Sequence, residues 1–104
     1  MEKWIYAINA NCVDATKEKE FNDWYNEVHI PDILETQGFL SATRYENREP
    51  SEGQGKFLTL YEIETDDIDK TMAILGERSS NLKKQGRGSS LISVVSRTVY
   101  KKIR

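Results

Sequence analysis

Six segments, in the order strand, helix, strand, strand, helix, strand, constrain the fold of this chain more than any other feature. The first strand is predicted from Lys3 to Cys12, because apolar residues at the even positions alternate with a mixed set at the odd positions. Three further strands are predicted in FLSATRYEN, KFLTLYEIE and LISVVSRTVYKKI, which are rich in β-branched and aromatic residues. The polar segment REPSEGQG joins the second and third strands and predicts a hairpin.

The first helix is predicted after a cap at Asp14 or Thr16, ahead of acidic residues that suit the positive end of the helix dipole. Its apolar face is formed at helical spacing by Phe21, Trp24, Tyr25 and Val28. Pro31 is expected to interrupt it, because proline lacks an amide hydrogen and disfavours a helical conformation in the residue before it. A short turn from Asp32 to Glu35 is expected next, and Gly38 ends the helical region.

The second helix is predicted in TDDIDKTMAIL, which begins with cap residues and carries Ile68, Met72 and Leu75 at helical spacing. A break is expected near Gly76. The later segment KKQGRGSS is predicted to be a flexible loop. An anion-binding nest is its alternative interpretation, which is less favoured because the segment precedes a strand and lacks the spacing of a phosphate loop.

This order of elements, joined by right-handed crossovers, predicts an α+β fold of the ferredoxin-like βαββαβ type, with a four-stranded antiparallel sheet and both helices on one face. The chain has the size of one domain, which is expected to span residues 1–104. Both faces of the predicted strands carry apolar residues, so the face without helices is expected to be hydrophobic. Soluble monomers rarely expose such a patch, so either a ligand or a second copy should cover it. Two copies packed sheet to sheet, as a homodimer, would form a barrel with a small interior.

Charge and cysteine content argue against several classes of protein. Lys and Arg number 15 against 17 for Asp and Glu, a net charge of -2 that attracts no phosphate backbone, so no nucleic-acid partner is predicted. Cys12 is the only cysteine, which excludes an internal disulfide and favours a reduced, cytoplasmic location. No segment has the pattern of a signal peptide or a membrane span. One histidine with one cysteine is a poor ligand set for zinc or copper, so no metal is predicted.

His29 is the only histidine and lies two residues before Pro31. Tyr25 lies one helical turn earlier and Phe21 a further turn back, which places the three on one row of the helix. An imidazole with an ordinary pKa of about 6.5 gives or takes a proton near neutrality, so His29 and its neighbour Tyr25 are the candidate catalytic residues. A helix C-terminus raises that pKa and burial lowers it, and the sequence leaves the sign open. The alternative is that His29 caps the helix and that Trp24 and Tyr25 are ordinary core aromatics.

Four side chains are candidate ligand contacts, Trp24, Arg44, Asn9 and Tyr61. Arg44 would hold a carboxylate or an enolate, although a salt bridge to Glu46 or Glu62 across the hairpin is its commoner use. For Asn9 and Tyr61 the alternative is a strand face that is simply more polar.

One pattern in the first helix and second strand is formed by Phe21, Trp24, Tyr25, His29, Pro31, Asp32, Leu34, Gly38, Phe39, Ser41, Ala42, Arg44 and Tyr45. It resembles the dimeric α/β barrel superfamily, and in particular its EthD-like members, named after ethyl tert-butyl ether degradation. The resemblance implies a homodimer of ferredoxin-like subunits, each with a cavity between sheet and helices. In it, His29 matches the family's histidine, and Trp24, Tyr25 and Pro31 match its neighbours. Gln37 departs from the proline that commonly precedes the glycine, and the lack of a second histidine excludes a mechanism that needs a histidine pair.

Relatives in that superfamily include cofactor-free isomerases and cyclases and small monooxygenases. The resemblance therefore implies a small homodimeric protein that binds a small, partly aromatic or carbonyl-bearing molecule. If it is an enzyme, it moves a proton with His29 and needs no metal or organic cofactor. The alternative function is a non-catalytic binding or regulatory protein on the same fold. RNA binding, which the same order of elements also serves, is the least favoured because KFLTLYEI lacks the aromatic spacing of RNA-recognition domains.

Overall fold

The computed structural model describes residues 1–104 and confirms the predicted order of elements. Its four strands are β1 (Glu2–Cys12), β2 (Phe39–Glu46), β3 (Phe57–Thr65) and β4 (Ile92–Lys101). They form one sheet in the order β2-β3-β1-β4, and every neighbouring pair is antiparallel. This is the strand order of the ferredoxin-like fold, so the predicted fold class is confirmed.

The helical elements all lie between β1 and β2 or between β3 and β4. They are a 3-10 turn (Ala15–Lys17), α1 (Glu18–Trp24), a π-helical segment (Tyr25–His29), α2 (Ile30–Leu34) and α3 (Ile68–Lys84). Ile33 from α2 and Leu75 from α3 belong to the same buried cluster as Tyr6 and Ile8 of β1, so both helical regions pack on one face of the sheet. The predicted cap at Asp14 begins the 3-10 turn, where its carboxylate accepts a hydrogen bond from the Thr16 amide at 2.9 Å.

The prediction that Pro31 interrupts the first helix is wrong. The helical run continues to Leu34, and Ile30 keeps helical backbone angles. The π-helical segment is the reason, because in it the Ile30 amide donates to the Tyr25 carbonyl, five residues earlier instead of four. A proline ring clashes with the carbonyl four residues before it in a regular α-helix, and the wider turn relieves that clash.

The predicted break at Gly76 is also wrong, because α3 runs through it to Lys84. A glycine weakens a helix by about 1 kcal/mol relative to alanine but leaves its hydrogen bonds in place. Gly86, with φ of +78°, ends the helix instead. The Gly86 amide donates to the Lys83 carbonyl and the Arg87 amide to the Leu82 carbonyl, the paired bonds of a Schellman motif. The longer helix brings residues 86–90 beside the first helical region.

The helix-free face of the sheet carries apolar side chains, as predicted. Ile5 and Ala7 of β1 pair with Glu62 and Leu60 of β3, and these positions alternate with the residues that face the helices. Tyr45 and Tyr100 lie on the same face and are 52% and 57% exposed. None of the helices is long and apolar enough to cross a membrane.

Candidate functional site

A cavity of about 610 Å³ lies between the sheet and the helical regions. Its wall is built from β1, β3, β4, the end of α1, the π-helical segment, α2, α3 and residues 86–90. Its aromatic wall consists of Tyr6, Trp24, Tyr25, His29 and Tyr61. The volume lies within the range of about 300 to 1,000 Å³ that small-molecule sites occupy.

His29 stands between two aromatic rings on this wall. Its imidazole stacks on Trp24 with ring centroids 4.7 Å apart and 23° between the planes, and it meets Tyr25 edge to face at 4.9 Å. Two polar side chains near His29 make their hydrogen bonds to other residues. Trp24 Nε1 donates to the Arg87 carbonyl, and Arg44 donates to Asn26. The alternative that His29 caps a helix end does not hold, because the helical run continues past it and α2 has no side-chain cap there.

Burial lowers the pKa of His29 from 6.5 to about 4. The Asp32 carboxylate opposes this shift by stabilising the imidazolium, and the Arg44 guanidinium adds to it. The sequence left open whether the pKa of His29 is raised or lowered, and desolvation lowers it. At neutral pH the imidazole is uncharged, so one ring nitrogen is a hydrogen-bond donor and the other is an acceptor.

Tyr25 links His29 to the interior of the domain. Its side chain is 1% exposed, and its hydroxyl accepts a hydrogen bond of 2.9 Å from Thr59 Oγ1. Burial raises the pKa of Tyr25, so the phenol keeps its proton at neutral pH. Phe21 is fully buried and packs edge to face on Tyr25, with ring centroids 5.6 Å apart. This contact holds the tyrosine ring in place.

Arg44 lies against Tyr25 and not on the cavity wall. Its guanidinium is 4.2 Å from the centre of the Tyr25 ring, and its Nη1 donates to Asn26 Oδ1 at 3.0 Å. Neither of the salt bridges that the sequence suggested, to Glu46 or to Glu62, is formed. The cation therefore packs on the ring that contacts His29, and its own contact with a ligand stays a prediction.

The remaining two candidates lie on opposite faces of the sheet. Tyr61 lines the cavity, is completely buried, and stacks with Tyr6 at 6.1 Å. Its hydroxyl has no hydrogen-bond partner, and burial raises its pKa. Asn9 is one residue beyond the cavity-lining Ile8, so strand alternation turns its side chain to the helix-free face, and its contact with a ligand stays a prediction.

Sequence reasoning missed the ion pair between Asp32 and Arg87 at the edge of the cavity. Arg87 Nε donates to Asp32 Oδ2 at 2.5 Å and Nη2 donates to Oδ1 at 3.1 Å. Together with the bond from Trp24 Nε1 to the Arg87 carbonyl at 3.0 Å, this pair fastens residues 86–90 onto the helical region that carries His29. We call these three bonds the clasp. Gly86 was the sequence signal for it, because a glycine at that place ends a helix and turns the chain back.

No group of three or more His, Cys, Asp or Glu side chains is arranged to hold a metal ion. The absence of a metal and of an organic cofactor stays a prediction. Asp32, whose carboxylate acts on the pKa of His29, is already paired with a guanidinium, and the Tyr25 ring that packs against His29 is a buried phenol.

Solved structures with this fold were found at low sequence identity. SnoaB, a cofactor-independent oxygenase from Streptomyces nogalater, is 10% identical with a TM-score of 0.62, covering 100% of this chain and 96% of that one. An ethyl tert-butyl ether degradation (EthD) family protein from Bacillus halodurans C-125 is 13% identical with a TM-score of 0.59, covering 99% and 100%. A dimeric ferredoxin-like protein from an uncultured marine organism is 12% identical with a TM-score of 0.60, covering 98% and 95%.

These likenesses extend over nearly the whole of each chain, so this chain has the ferredoxin-like fold of those structures, as the resemblance implied. At such identities they establish the fold alone. No curated protein matches the chain by sequence. A family model matches residues 3–87, from β1 through the clasp, and the chain therefore belongs to the family described as domain of unknown function DUF4286.

Proposed function

We propose that this protein is a homodimer that binds a small, partly aromatic or carbonyl-bearing molecule in the cavity beside His29, and that His29 acts on this molecule as an acid or a base. One observation carries the proposal. A neutral imidazole, held between the rings of Trp24 and Tyr25, stands on the wall of a cavity of about 610 Å³.

The chemistry that suits this imidazole is the transfer of a proton to and from carbon. In its neutral form it takes a proton from a carbon next to a carbonyl, and the imidazolium then returns the proton to the same molecule at another atom. With a pKa of about 4 it is a weak base, so the carbon must already be acidic, as it is between two carbonyls or in a conjugated ring. Such a reaction needs no metal and no organic cofactor.

The fold supports this proposal. SnoaB is described as a cofactor-independent oxygenase, and it shares the arrangement of sheet and helices with this chain. The aromatic wall is also the surface that a planar ligand prefers, because flat rings bury large apolar areas against one another.

The homodimer is proposed because the helix-free face of the sheet is apolar and one structure of this fold is that of a dimeric protein. Two copies packed through this face would form the dimeric α/β barrel. Ile5, Leu58, Leu60 and Tyr100 would then lie at the interface between the two sheets. The cytoplasmic location stays a prediction from the lone cysteine.

A second function, binding without catalysis, is favoured by the same low pKa. A base with a pKa of about 4 is far from the value near 7 that suits general base catalysis at neutral pH. In this case His29 would hydrogen-bond to a ligand without transferring a proton. Binding of RNA is the least favoured function, because the chain carries a net charge of -2.

The replacement His29→Gln separates the two functions. Glutamine keeps hydrogen-bonding groups but does not titrate near neutral pH. A panel of aromatic and 1,3-dicarbonyl compounds is first tested for binding and for exchange of carbon-bound hydrogen with deuterated water. If His29 is the acid or base, the variant binds the compound but loses rate by roughly a hundredfold or more. Equal rates for both proteins, with the same dependence on pH, would leave only the binding role.

A further inference from the structure

The charged side chains that line the cavity are mostly basic. One is acidic, Asp32, and three are basic, Lys83, Arg87 and Arg97. Arg87 is paired with Asp32 in the clasp, whereas Lys83 and Arg97 belong to none of the ion pairs of the structure. Two uncompensated positive charges therefore line the cavity of a chain whose net charge is -2.

Of these two cations, Arg97 is the one whose backbone is held in the sheet. It lies on β4 directly opposite Ile8 of β1, a core residue on the helix-covered face, so its side chain leaves the sheet on the cavity side. The positive charge of its guanidinium lowers the pKa of Tyr6, against the larger, opposite effect of burial. Lys83, in contrast, stands in the last turn of α3 on a long flexible side chain.

Ten of the other lining residues are apolar or aromatic, and the remainder are His29, three serines and two glycines. Tyr6 and Trp24 present ring surfaces, and Leu75, Ile92 and Val94 add aliphatic ones. A ligand that matches this lining must combine a flat apolar body with a negative charge at one place. The planar guanidinium of arginine pairs with a carboxylate through two parallel hydrogen bonds, a geometry that lysine does not offer.

We infer that the cavity selects a molecule with a planar, apolar body and one carboxylate group, and that Arg97 binds the carboxylate. This inference rests on the proposed binding function and narrows its ligand class. It assigns to Arg97 a specificity-determining role that does not depend on whether His29 is catalytic.

The test uses pairs of compounds that differ only in charge. Benzoate, cinnamate and 1-naphthoate are each compared with the matching primary amide, and dissociation constants are measured by isothermal titration calorimetry. The indole N–H resonance of Trp24 reports binding in the cavity, and that of Trp4, which does not line it, serves as the internal reference. We expect the carboxylates to bind at least about tenfold tighter than the amides, the size of a hydrogen bond to a charged group.

Substitution of the arginine then assigns the preference. In Arg97→Gln the carboxylate should lose most of its advantage while the affinity of the amide changes little, and Arg97→Lys should keep part of it. Arg48→Gln is the matched control, because it removes the same charge from an exposed residue outside the cavity and should leave the preference unchanged. Far-ultraviolet circular dichroism checks that each variant is folded.

The outcomes separate this inference from the proposed function. If amides bind in the cavity as tightly as carboxylates, the binding function stands and the selection of a carboxylate is wrong. If the preference survives in Arg97→Gln, another group binds the carboxylate and the role of Arg97 is wrong. If no member of the panel shifts the Trp24 resonance, both the binding of aromatic ligands and the inference fall.

Discussion

Trp24 and His29 form a stacked pair, with ring centroids 4.7 Å apart and 23° between the ring planes. The pair exists because the π-helical segment starts directly after Trp24, so that a residue five positions later still lies over the indole. In a regular α-helix the residues three and four positions apart are the neighbours on one face. The change from α-helix to π-helix therefore stacks His29, the only imidazole of the chain, on Trp24 of the cavity wall.

Stability should fall between neutral and acidic pH in a way that depends on His29. Its pKa is about 4 in the folded chain and 6.5 when unfolded, so between these values the unfolded chain binds more protons. The stability that the neutral His29 contributes is complete above pH 6.5, its pKa in the unfolded chain. This stability is lost as the pH falls toward about 4, its pKa in the folded chain. From pH 7 to about pH 4.5 this amounts to roughly 2 to 3 kcal/mol at most. Chemical denaturation at both pH values measures it.

The control for this prediction is His29→Gln, measured under the same conditions. Carboxylates also titrate in this range, but they are common to both proteins and cancel in the difference. The variant should lose less stability than the wild type on acidification. If both proteins lose the same free energy of unfolding, the imidazole is not desolvated in the folded chain.

The fold could be predicted from sequence because it depends on periodic patterns that extend over whole elements. The alternation along β1 and the helical spacing of Phe21, Trp24 and Tyr25 correspond directly to the faces that are buried. Local rules were less reliable, because a single π turn allowed Pro31 to stay in a helix and the packing of α3 outweighed Gly76.

The candidate site could be predicted only where it is local in sequence. His29, Tyr25 and Trp24 lie within one helical run and were identified together. The clasp joins Asp32 to a partner 55 residues away, and no periodic pattern in the sequence signals such a pairing. Asn9 was predicted to contact a ligand, although strand alternation turns its side chain to the face of the sheet away from the cavity-lining Ile8. The side of the sheet therefore has to be decided for each residue.

Opening the clasp should loosen residues 86–90 without unfolding the domain. Asp32→Asn removes the charge that Arg87 binds, although the amide keeps a single acceptor oxygen. Asp32 is only 13% exposed at its side chain, so the pair is better shielded than most surface pairs, and a loss of roughly 1 kcal/mol is expected. Amide hydrogen exchange in residues 86–90 should then become roughly fivefold faster. Exchange in β1 and β3 should change little.

Asp23→Asn provides the matched control for that experiment. It breaks the ion pair with Lys19, which is exposed on the outer side of α1 and joins no loop to the cavity. Exchange of residues 86–90 in this variant should equal that of the wild type. If Asp32→Asn also leaves the exchange of this loop unchanged, the bond from Trp24 to the Arg87 carbonyl is sufficient to hold it.

The last prediction concerns the helix-free face of the sheet, where a second copy is proposed to pack. Sedimentation at micromolar concentration should give twice the chain mass of 12.0 kDa. Leu60 lies near the centre of this face, paired with Ala7 on one side and with Thr43 on the other. Leu60→Lys places a charge in the middle of the proposed interface, where it would be desolvated without a partner, and should dissociate the dimer.

The matched control is Val13→Lys, which makes the same kind of change at a residue that is already 60% exposed and lies beyond the end of β1. It should leave the mass at that of the dimer. A standard interface buries roughly 800 Å² on each partner, and burial of its apolar part is what favours association. A wild-type protein that sediments with the mass of one chain would show that the apolar face stays uncovered, and the barrel would have to be abandoned.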